Sequence, residues 1–480
     1  MTDARARTTR VVLLVIIAVL VGAGLYAAVG QGRQYLANRN FHQIAVPAPT
    51  AVPADAAGAL SAVTGSPAAE AGGGVTSPAA VPAPTATGIK AALGAELTAP
   101  GLGPSVSAQV YDATTARALL DQGAANLVTP ASTSKLLTAA ALLTVRRASD
   151  RFSTKVVAGA APGTVVLVGG GDPTLSAAGA GTATEYAEAA RISDLAAQVK
   201  ESVAGAPVNQ VVVDGSLFTG PETATGWAVD DAPSSYASPI TATMVDGGRD
   251  TPGAQTRSGS PDLAAAKALA DALGGATISR GRAPAGAKVL GSVRSAPVAT
   301  LVEEMLSESD NVIAEVLTRQ VAIATKKPAS FTDGAGAISA TLSGLGVPIG
   351  SGMKDGSGLS AQDRIPAGAL GQVLLKAVDP KHPELHAIIA AMSVAGWDGT
   401  LVEQGRFSGP ARNAAGVVRA KTGSLTGVSA IAGVVTDADG RLLVFSFVAD
   451  RVPGGDVNSP AARNAFDSAV SALAACGCRS

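Results

Sequence analysis

The sequence predicts a mixed α/β fold for the chain beyond about residue 90, and three observations predict it. Apolar residues recur at helical spacing in 301–322, at Leu301, Val302, Met305, Leu306, Ile313, Val316 and Leu317. Short valine-rich strands stand at 165–168 and 211–213, bounded by Gly, Asp and Pro. A β-hairpin is written at 429–435 and 442–448, joined by the turn Asp437-Ala438-Asp439-Gly440. A chain of 480 residues exceeds the ~100–200 residues of one domain, so two or three units are expected.

The elements follow in order. Arg5, Arg7 and Arg10 precede 19 uncharged residues, 11–29. At about 1.5 Å per residue these span ~28 Å, the thickness of a bilayer core. Residues 1–30 read as a cytoplasmic tail and an uncleaved signal anchor, although Arg33 and Arg39 also follow the span. A cleaved, secreted form is the alternative. Residues 31–88 read as a disordered tether, because in 46–88 prolines punctuate a stretch dominated by Ala, Thr, Ser and Gly, with no Lys or Arg between Arg39 and Lys90. As a coil, that stretch reaches ~36 Å end to end. Residues 105–111 then alternate as a strand, and Asp112-Ala113-Thr114-Thr115 turns the chain. A helix follows Pro130, strands and two helical runs fill 155–294, and a last helix spans 460–475. The richness in Ala, Gly and Val reads as a coding bias rather than a fold signal.

Composition excludes several functions. Net charge is −1 and aromatics are 3%, so no basic patch or stacking platform for nucleic acid is expected. Cys476 and Cys478 are the only cysteines; a strained bridge and two free thiols are both open. No metal site and no cofactor is expected. His382 and His386 flank Pro383 without a zinc-binding context, and His42 lies in the tether. A Ser-His-Asp triad is hard to build, so hydrolytic chemistry needs another base.

Three motifs stand in order: Ser132-Thr133-Ser134-Lys135, Ser309-Asp310-Asn311 and Lys421-Thr422-Gly423. Each alone is weak. Their contexts agree, however. Ser132 opens a helix, and Lys135, three residues on, shares its face. The helix N-terminus favours negative charge developing on the Ser132 oxygen. Ser309-Asp310-Asn311 interrupts two helical runs, and Lys421-Thr422-Gly423 lines or ends a strand before the hairpin. With no histidine to serve, Lys135 is the candidate base, its pKa lowered by burial and by a neighbouring cation. Lys421 can supply that charge, or hold a peptide's terminal carboxylate. Ser309 can relay a proton to a leaving amine, and Asn311 can hold a substrate amide. Backbone N–H groups of Ser132 and Ser424 form a natural oxyanion hole. Thr422, Gly423 and Ser424 are candidate substrate-binding residues, with Gly423 allowing close approach of a substrate backbone.

The motif set resembles that of penicillin-binding proteins and class A β-lactamases. The segments PASTSKLLTAAALL, VLVGGGDPTL (166–175), SESDNVIAEVL (307–317), KDGSGLS (354–360), AGWDGTL (395–401) and RAKTGSLTGVSAIAGVV (419–435) extend the resemblance. They are similar to the class C, low-molecular-mass D-Ala-D-Ala carboxypeptidase/endopeptidase (peptidase S13) family, in its actinobacterial membrane-anchored form. The resemblance covers most of 90–480. It implies a penicillin-binding, β-lactamase-like transpeptidase domain, an antiparallel sheet flanked by helices and interrupted by a smaller inserted α/β domain. On this reading 89–155 and 295–480 form the catalytic domain and 156–294 the insertion. It implies a serine D-Ala-D-Ala carboxypeptidase or endopeptidase acting on peptidoglycan stem peptides through an acyl-enzyme on Ser132, and covalent inhibition by β-lactams. Only 173 residues separate Lys135 from Ser309, fewer than in larger members; a missing subdomain would have stood at 245–257. Ala361 stands where the family carries an Arg, with Arg364 three residues on. Asp172 either faces a diamino-acid ammonium or forms a turn before Pro173. The alternatives are a β-lactamase or esterase on the same fold, or a non-catalytic wall-binding protein. The Glu-x-x-Leu-Asn segment of class A β-lactamases is missing between Asn311 and Lys421.

Overall fold

The computed structural model describes residues 81–402 and 405–479; the anchor and most of the tether lie outside the described residues. Helix α1 (Ala86–Leu93) is followed by strands β1 (Val106–Asp112), β2 (Ala118–Gln122) and β3 (Leu127–Val128), then helix α2 (Ser134–Val145). Next come β4 (Ser153–Ala158), β5 (Thr164–Val168), α3 (Ile192–Ser202), β6 (Gln210–Asp214), α4 (Pro261–Ala272), β7 (Thr277–Arg280) and β8 (Val289–Arg294). The chain continues through α5 (Val298–Ser307), α6 (Asn311–Ala324), α7 (Phe331–Gly344), β9 (Ile365–Pro366), α8 (Gly368–Val378) and α9 (His386–Ala391). It ends with β10 (Ser393–Val394), β11 (Val418–Leu425), β12 (Val428–Thr436), β13 (Leu442–Ala449) and α10 (Pro460–Ala475).

Six strands form an antiparallel sheet in the order β10-β11-β12-β13-β1-β2. The period of two along a strand sends alternate side chains to opposite faces, and here both faces are covered. Ala430, Ala432 and Val434 of β12 join a core with Leu136 and Leu137 of α2 and Leu370 and Leu374 of α8. Ile431 and Val435, with Phe445 and Phe447 of β13, join a second core with Ile89 of α1 and Phe466 and Val470 of α10. Strand β1 is therefore buried along almost its whole length, and the alternation at 105–111 does not mark a solvent face. Its polar members are satisfied internally. Gln109 pairs in register with Ser446, whose Oγ donates to Gln109 Oε1 at 2.9 Å, and Gln109 Nε2 donates to the Gln122 carbonyl at 3.2 Å.

Helix α2 runs through the middle of the first core, with every residue from Ser134 to Leu143 buried. A helix apolar on nearly all sides belongs inside a protein. Its run Ala139-Ala140-Ala141 is fully buried, where small side chains let neighbouring helices come close. The alanine excess is thus part of the packing, whatever its origin in the coding sequence.

Between α2 and α5, Tyr186 joins the first core and Ala237, Ile240 and Met244 pack with Val312 and Val316 of α6, while much of the chain there folds on a core of its own. Its five-stranded sheet has the order β7-β6-β5-β4-β8, with β5, β6 and β7 parallel and β4 antiparallel to both neighbours. Parallel neighbours need crossovers, and α3 and α4 supply them, packing Leu195, Val199, Ala265 and Leu269 on Val211 and Val213. Strand β4 starts at Ser153, ahead of the boundary at 156. Helix α1 likewise starts inside the span read as tether. Thr85 caps it, accepting from Gly88 N–H at 3.0 Å, and Thr85 N–H donates to the Cys478 carbonyl at 2.8 Å, tying the helix to the C-terminal segment. Cys476 and Cys478 are bridged there. Among the described residues no helix is long and apolar enough to cross a membrane.

Phe447 is fully buried, its ring 5.4 Å from Phe445 and 5.9 Å from Phe466. Phe447→Ala should cost about 3–5 kcal/mol of stability, seen as a lower urea midpoint at unchanged m-value.

Candidate active site

Ser132 sits in a 3₁₀ turn, Ala131–Thr133, immediately before α2. The helix proper therefore starts two residues later than the motif. Ala131 has φ 48°, a left-handed conformation that disfavours a Cβ. Two close approaches hold the turn. A Cβ at Gly358 would lie 1.9 Å from the Ala131 carbonyl oxygen, and one at Gly423 would lie 2.9 Å from the Pro130 carbonyl oxygen and 3.0 Å from Ser132 N. The close approach at Gly423 is thus made by the protein's own Ala131–Thr133 turn.

Lys135 points back along α2 to this turn. Its Nζ donates to Ser132 Oγ at 2.8 Å, Asn311 Oδ1 at 2.6 Å and the Ser357 carbonyl at 2.8 Å. The residue is fully buried. Burial pushes the amine down to about 8, against Asp355, Glu315 and Asp310, whose carboxylates raise it.

Those carboxylates are themselves built into the frame. Glu315, one turn after Asn311 on α6, accepts from Gly356 N–H at 3.0 Å and Ser357 N–H at 2.7 Å, and so fixes the carbonyl that holds Lys135. Burial, with the Asp355 charge beside it, pushes its carboxyl up. Asp355 accepts from Gly358 N–H, Ser360 N–H and Trp227 Nε1, each at 2.7 Å. Asp310 caps α6 through Oδ1, which accepts from Ile313 N–H at 3.0 Å. Its Oδ2 accepts from Arg257 Nη2 at 2.8 Å and Tyr186 Oη at 3.1 Å. Burial works to raise this carboxyl, but Arg257 and Arg249 outweigh it and hold it well below the usual carboxylate range.

Of the predicted residues, Ser132, Lys135 and Asn311 are thus directly bonded. Asn311 Nδ2 also donates to the Tyr236 carbonyl at 3.1 Å, leaving one amide hydrogen for another acceptor. Ser309, partly exposed, joins α5 to α6 with φ 59°. On β11, Lys421 is fully buried and its Nζ donates to the Thr422 carbonyl at 2.9 Å. Thr422 Oγ1 donates to Thr400 Oγ1 at 2.9 Å, and Ser424 is half-buried.

Asp172 is not brought to this cluster. It is buried, and its Oδ1 accepts from Thr174 N–H at 2.8 Å and Thr174 Oγ1 at 2.7 Å, the geometry of a turn. Burial pushes its carboxyl up to about 6. The adjoining Gly170 carbonyl accepts from Gln320, which lies nine residues along α6 from Asn311, or ~14 Å at the helical rise. Arg364 is engaged away from this cluster, donating to the Thr129 hydroxyl and to the carbonyls of Ala361 at 3.0 Å and Asp363 at 2.6 Å. The segment 245–257, read as the scar of a missing subdomain, carries Arg249 and Arg257. Among the residues not singled out from sequence, Glu315 had a signal in its four-residue spacing from Asn311. Asp355 and Ser357 lay in the KDGSGLS segment that carried the resemblance, whereas Tyr186 and Arg257 had no signal, because only folding brings them near. Among the described residues no group of His, Cys, Asp or Glu could hold a metal ion.

A family model described as the D-Ala-D-Ala carboxypeptidase 3 (S13) family matches residues 89–262 and 250–474. The chain is 41% identical over 391 residues to Carboxypeptidase DacB of Mycolicibacterium smegmatis, covering 80% of this chain and 83% of that one. It is 40% identical over 386 residues to Carboxypeptidase Rv3627c of Mycobacterium tuberculosis, covering 79% and 82%. In fold it is similar to the crystal structure of penicillin binding protein 4 from Haemophilus influenzae, with TM-score 0.64 and 21% identity, covering 81% of this chain and 98% of that one.

Proposed function

This chain belongs to the D-Ala-D-Ala carboxypeptidase S13 family, and from that premise we propose how its residues carry the reaction. It is a serine-type D-Ala-D-Ala carboxypeptidase of peptidoglycan, a hydrolase of the penicillin-binding type that β-lactams inhibit. The observation that carries the mechanism is the 2.8 Å bond between Lys135 Nζ and Ser132 Oγ, next to an amine whose proton affinity burial has lowered. His382 and His386 are engaged elsewhere, with Glu384 and the Asp379 carbonyl.

Neutral Lys135 takes the hydroxyl proton as Ser132 Oγ attacks the carbonyl of the penultimate D-Ala. The N–H groups of Ser132 and Ser424 receive the negative charge on the carbonyl oxygen. Ser309 gives its hydroxyl proton to the leaving amine and takes in its place the one held by Lys135, and the C–N bond breaks to leave an ester on Ser132. Water then attacks that ester, giving up a proton to Lys135, neutral again, which returns it to Ser132 Oγ as the shortened stem peptide departs. Asn311 orients Lys135 and offers its remaining amide hydrogen to the substrate. Lys421 and Thr422 meet the terminal carboxylate, and Gly423 keeps β11 against the nucleophile turn. The protein is membrane-associated on this reading. Its anchor is residues 11–29, which lie outside the described residues, with the catalytic part beyond the membrane.

Four outcomes test this reading. Lys135→Ala should lose acylation by a labelled penicillin almost as fully as Ser132→Ala, and the double variant should lose no more, because the pair acts as a unit. In the wild type the acylation rate should climb about tenfold per pH unit up to about 8 and level off above it, since only the neutral amine accepts a proton. A rate independent of pH through that range would remove Lys135 as the base. Lys421→Ala should slow hydrolysis of a free D-Ala-D-Ala end by roughly 10- to 150-fold, the worth of a charge-assisted hydrogen bond, and affect an amidated peptide much less. Equal losses on both peptides would exclude the carboxylate role. A reporter fused after Ser480 should be active only outside the cytoplasm; cytoplasmic activity would overturn the topology.

A further inference from the structure

The inserted module contributes no residue to the three motifs, yet it grips the second of them. Asp310 lies between Ser309 and Asn311, so its position sets theirs. One carboxylate oxygen caps α6; the other accepts from Arg257 Nη2 at 2.8 Å and Tyr186 Oη at 3.1 Å. Arg257 is almost fully buried, and its Nη1 donates to the Gly247 carbonyl at 2.6 Å. Arg249 stands 3.9 Å behind Asp310 and pairs with Glu185 at 2.9 Å. Tyr186, Arg249 and Arg257 all precede α4, and so does Tyr236, whose carbonyl accepts from Asn311 Nδ2.

From this juxtaposition we propose that Arg257 is a positioning residue for the reaction: through Asp310 it sets Ser309 and Asn311, which makes the inserted module part of the acylation machinery. The inference rests on the Ser-Lys reading above. A buried ion pair is a poor source of stability, since its desolvation cost rivals its attraction and an apolar pair of equal volume does as well. It does supply direction, because a guanidinium with two fixed acceptors allows the carboxylate little angular freedom. Direction is what this segment needs. Ser309 is held at φ 59°, a conformation a serine keeps only where its surroundings over-determine it. Asn311 in turn is one of three acceptors for Lys135. Rotation of the segment would therefore disturb both the Ser309 hydroxyl and the base.

The test is made on the full chain with Arg257→Met, Arg257→Lys and Tyr186→Phe, using a labelled penicillin. Two quantities are read separately: the rate of acylation and the fraction of chains labelled at saturation. Mispositioning lowers the rate while every folded chain still reacts; loss of structure lowers the fraction. Arg257→Met should react about 10- to 100-fold more slowly at full final labelling, as expected for a misplacement of about an ångström. Arg257→Lys, keeping the charge without the fork, should recover part of that rate. Tyr186→Phe removes one hydroxyl, keeps the test alive should Arg257→Met fail to fold, and should slow the reaction about 2- to 5-fold, the kinetic equivalent of one modest hydrogen bond. Wild-type rates in both Arg257→Met and Tyr186→Phe would overturn the proposal. So would a reduced labelled fraction whose reacting chains keep the wild-type rate, which would leave the pair as a fastening between modules. A wild-type chain that takes no label would instead sink the Ser-Lys reading, and this inference with it.

Discussion

A fully buried amine organises this molecule. Lys135 has no exposed surface and spends its three donor directions on Ser132, Asn311 and the Ser357 carbonyl. A charged ammonium there would be costly unless its surroundings compensate. They do so in two ways: three acceptors satisfy its hydrogens, and Asp310, Glu315 and Asp355 oppose the fall in its proton affinity. The balance leaves it near the point where it can both accept and return a proton at physiological pH.

Each compensating carboxylate needs partners of its own, and the network grows outward from that need. Glu315 and Asp355 turn to the backbone N–H groups of 356–360, which shapes the loop that carries the Ser357 carbonyl. Asp363, pushed up by burial and by Asp355 beside it, accepts from Lys354 N–H at 2.6 Å. Asp310 turns the other way, to Arg257 and Tyr186 in the inserted module. The proton balance of one lysine thus links helix α6, a glycine-rich loop and the connecting segments of the inserted module that carry Tyr186 and Arg257.

The scaffold makes such closeness available. The sheet is buried on both faces, so β11 cannot drift from α2, and the alanine-rich α2 lets its neighbours approach. Gly423 and Gly358 carry no Cβ where β11 and the 355–358 loop press on the Ser132 turn. A side chain at either place would meet backbone, which has no rotamer by which to yield.

What the sequence determined by itself was local and chemical. The hairpin, the helices α5, α6 and α10 and the helix after Pro130 were legible in their periodicity, because a helix or a hairpin is specified by neighbours within a few residues. The absence of a usable histidine and the pairing of Ser132 with Lys135 followed from residue types and a spacing of three. The joining of three motifs was legible only through resemblance, since no local rule ties residue 135 to 311. Only the tertiary structure decided the rest. It turned the alternation of β1 into a strand buried on both sides, because covering helices come from distant parts of the chain. It left Asp172 to a turn. It drew Arg257, Tyr186 and Tyr236 onto the second motif, although they precede it by 50 to 125 residues. A buried charge chooses its partner by proximity in space, and that proximity is set by how two cores pack, which no window of sequence contains.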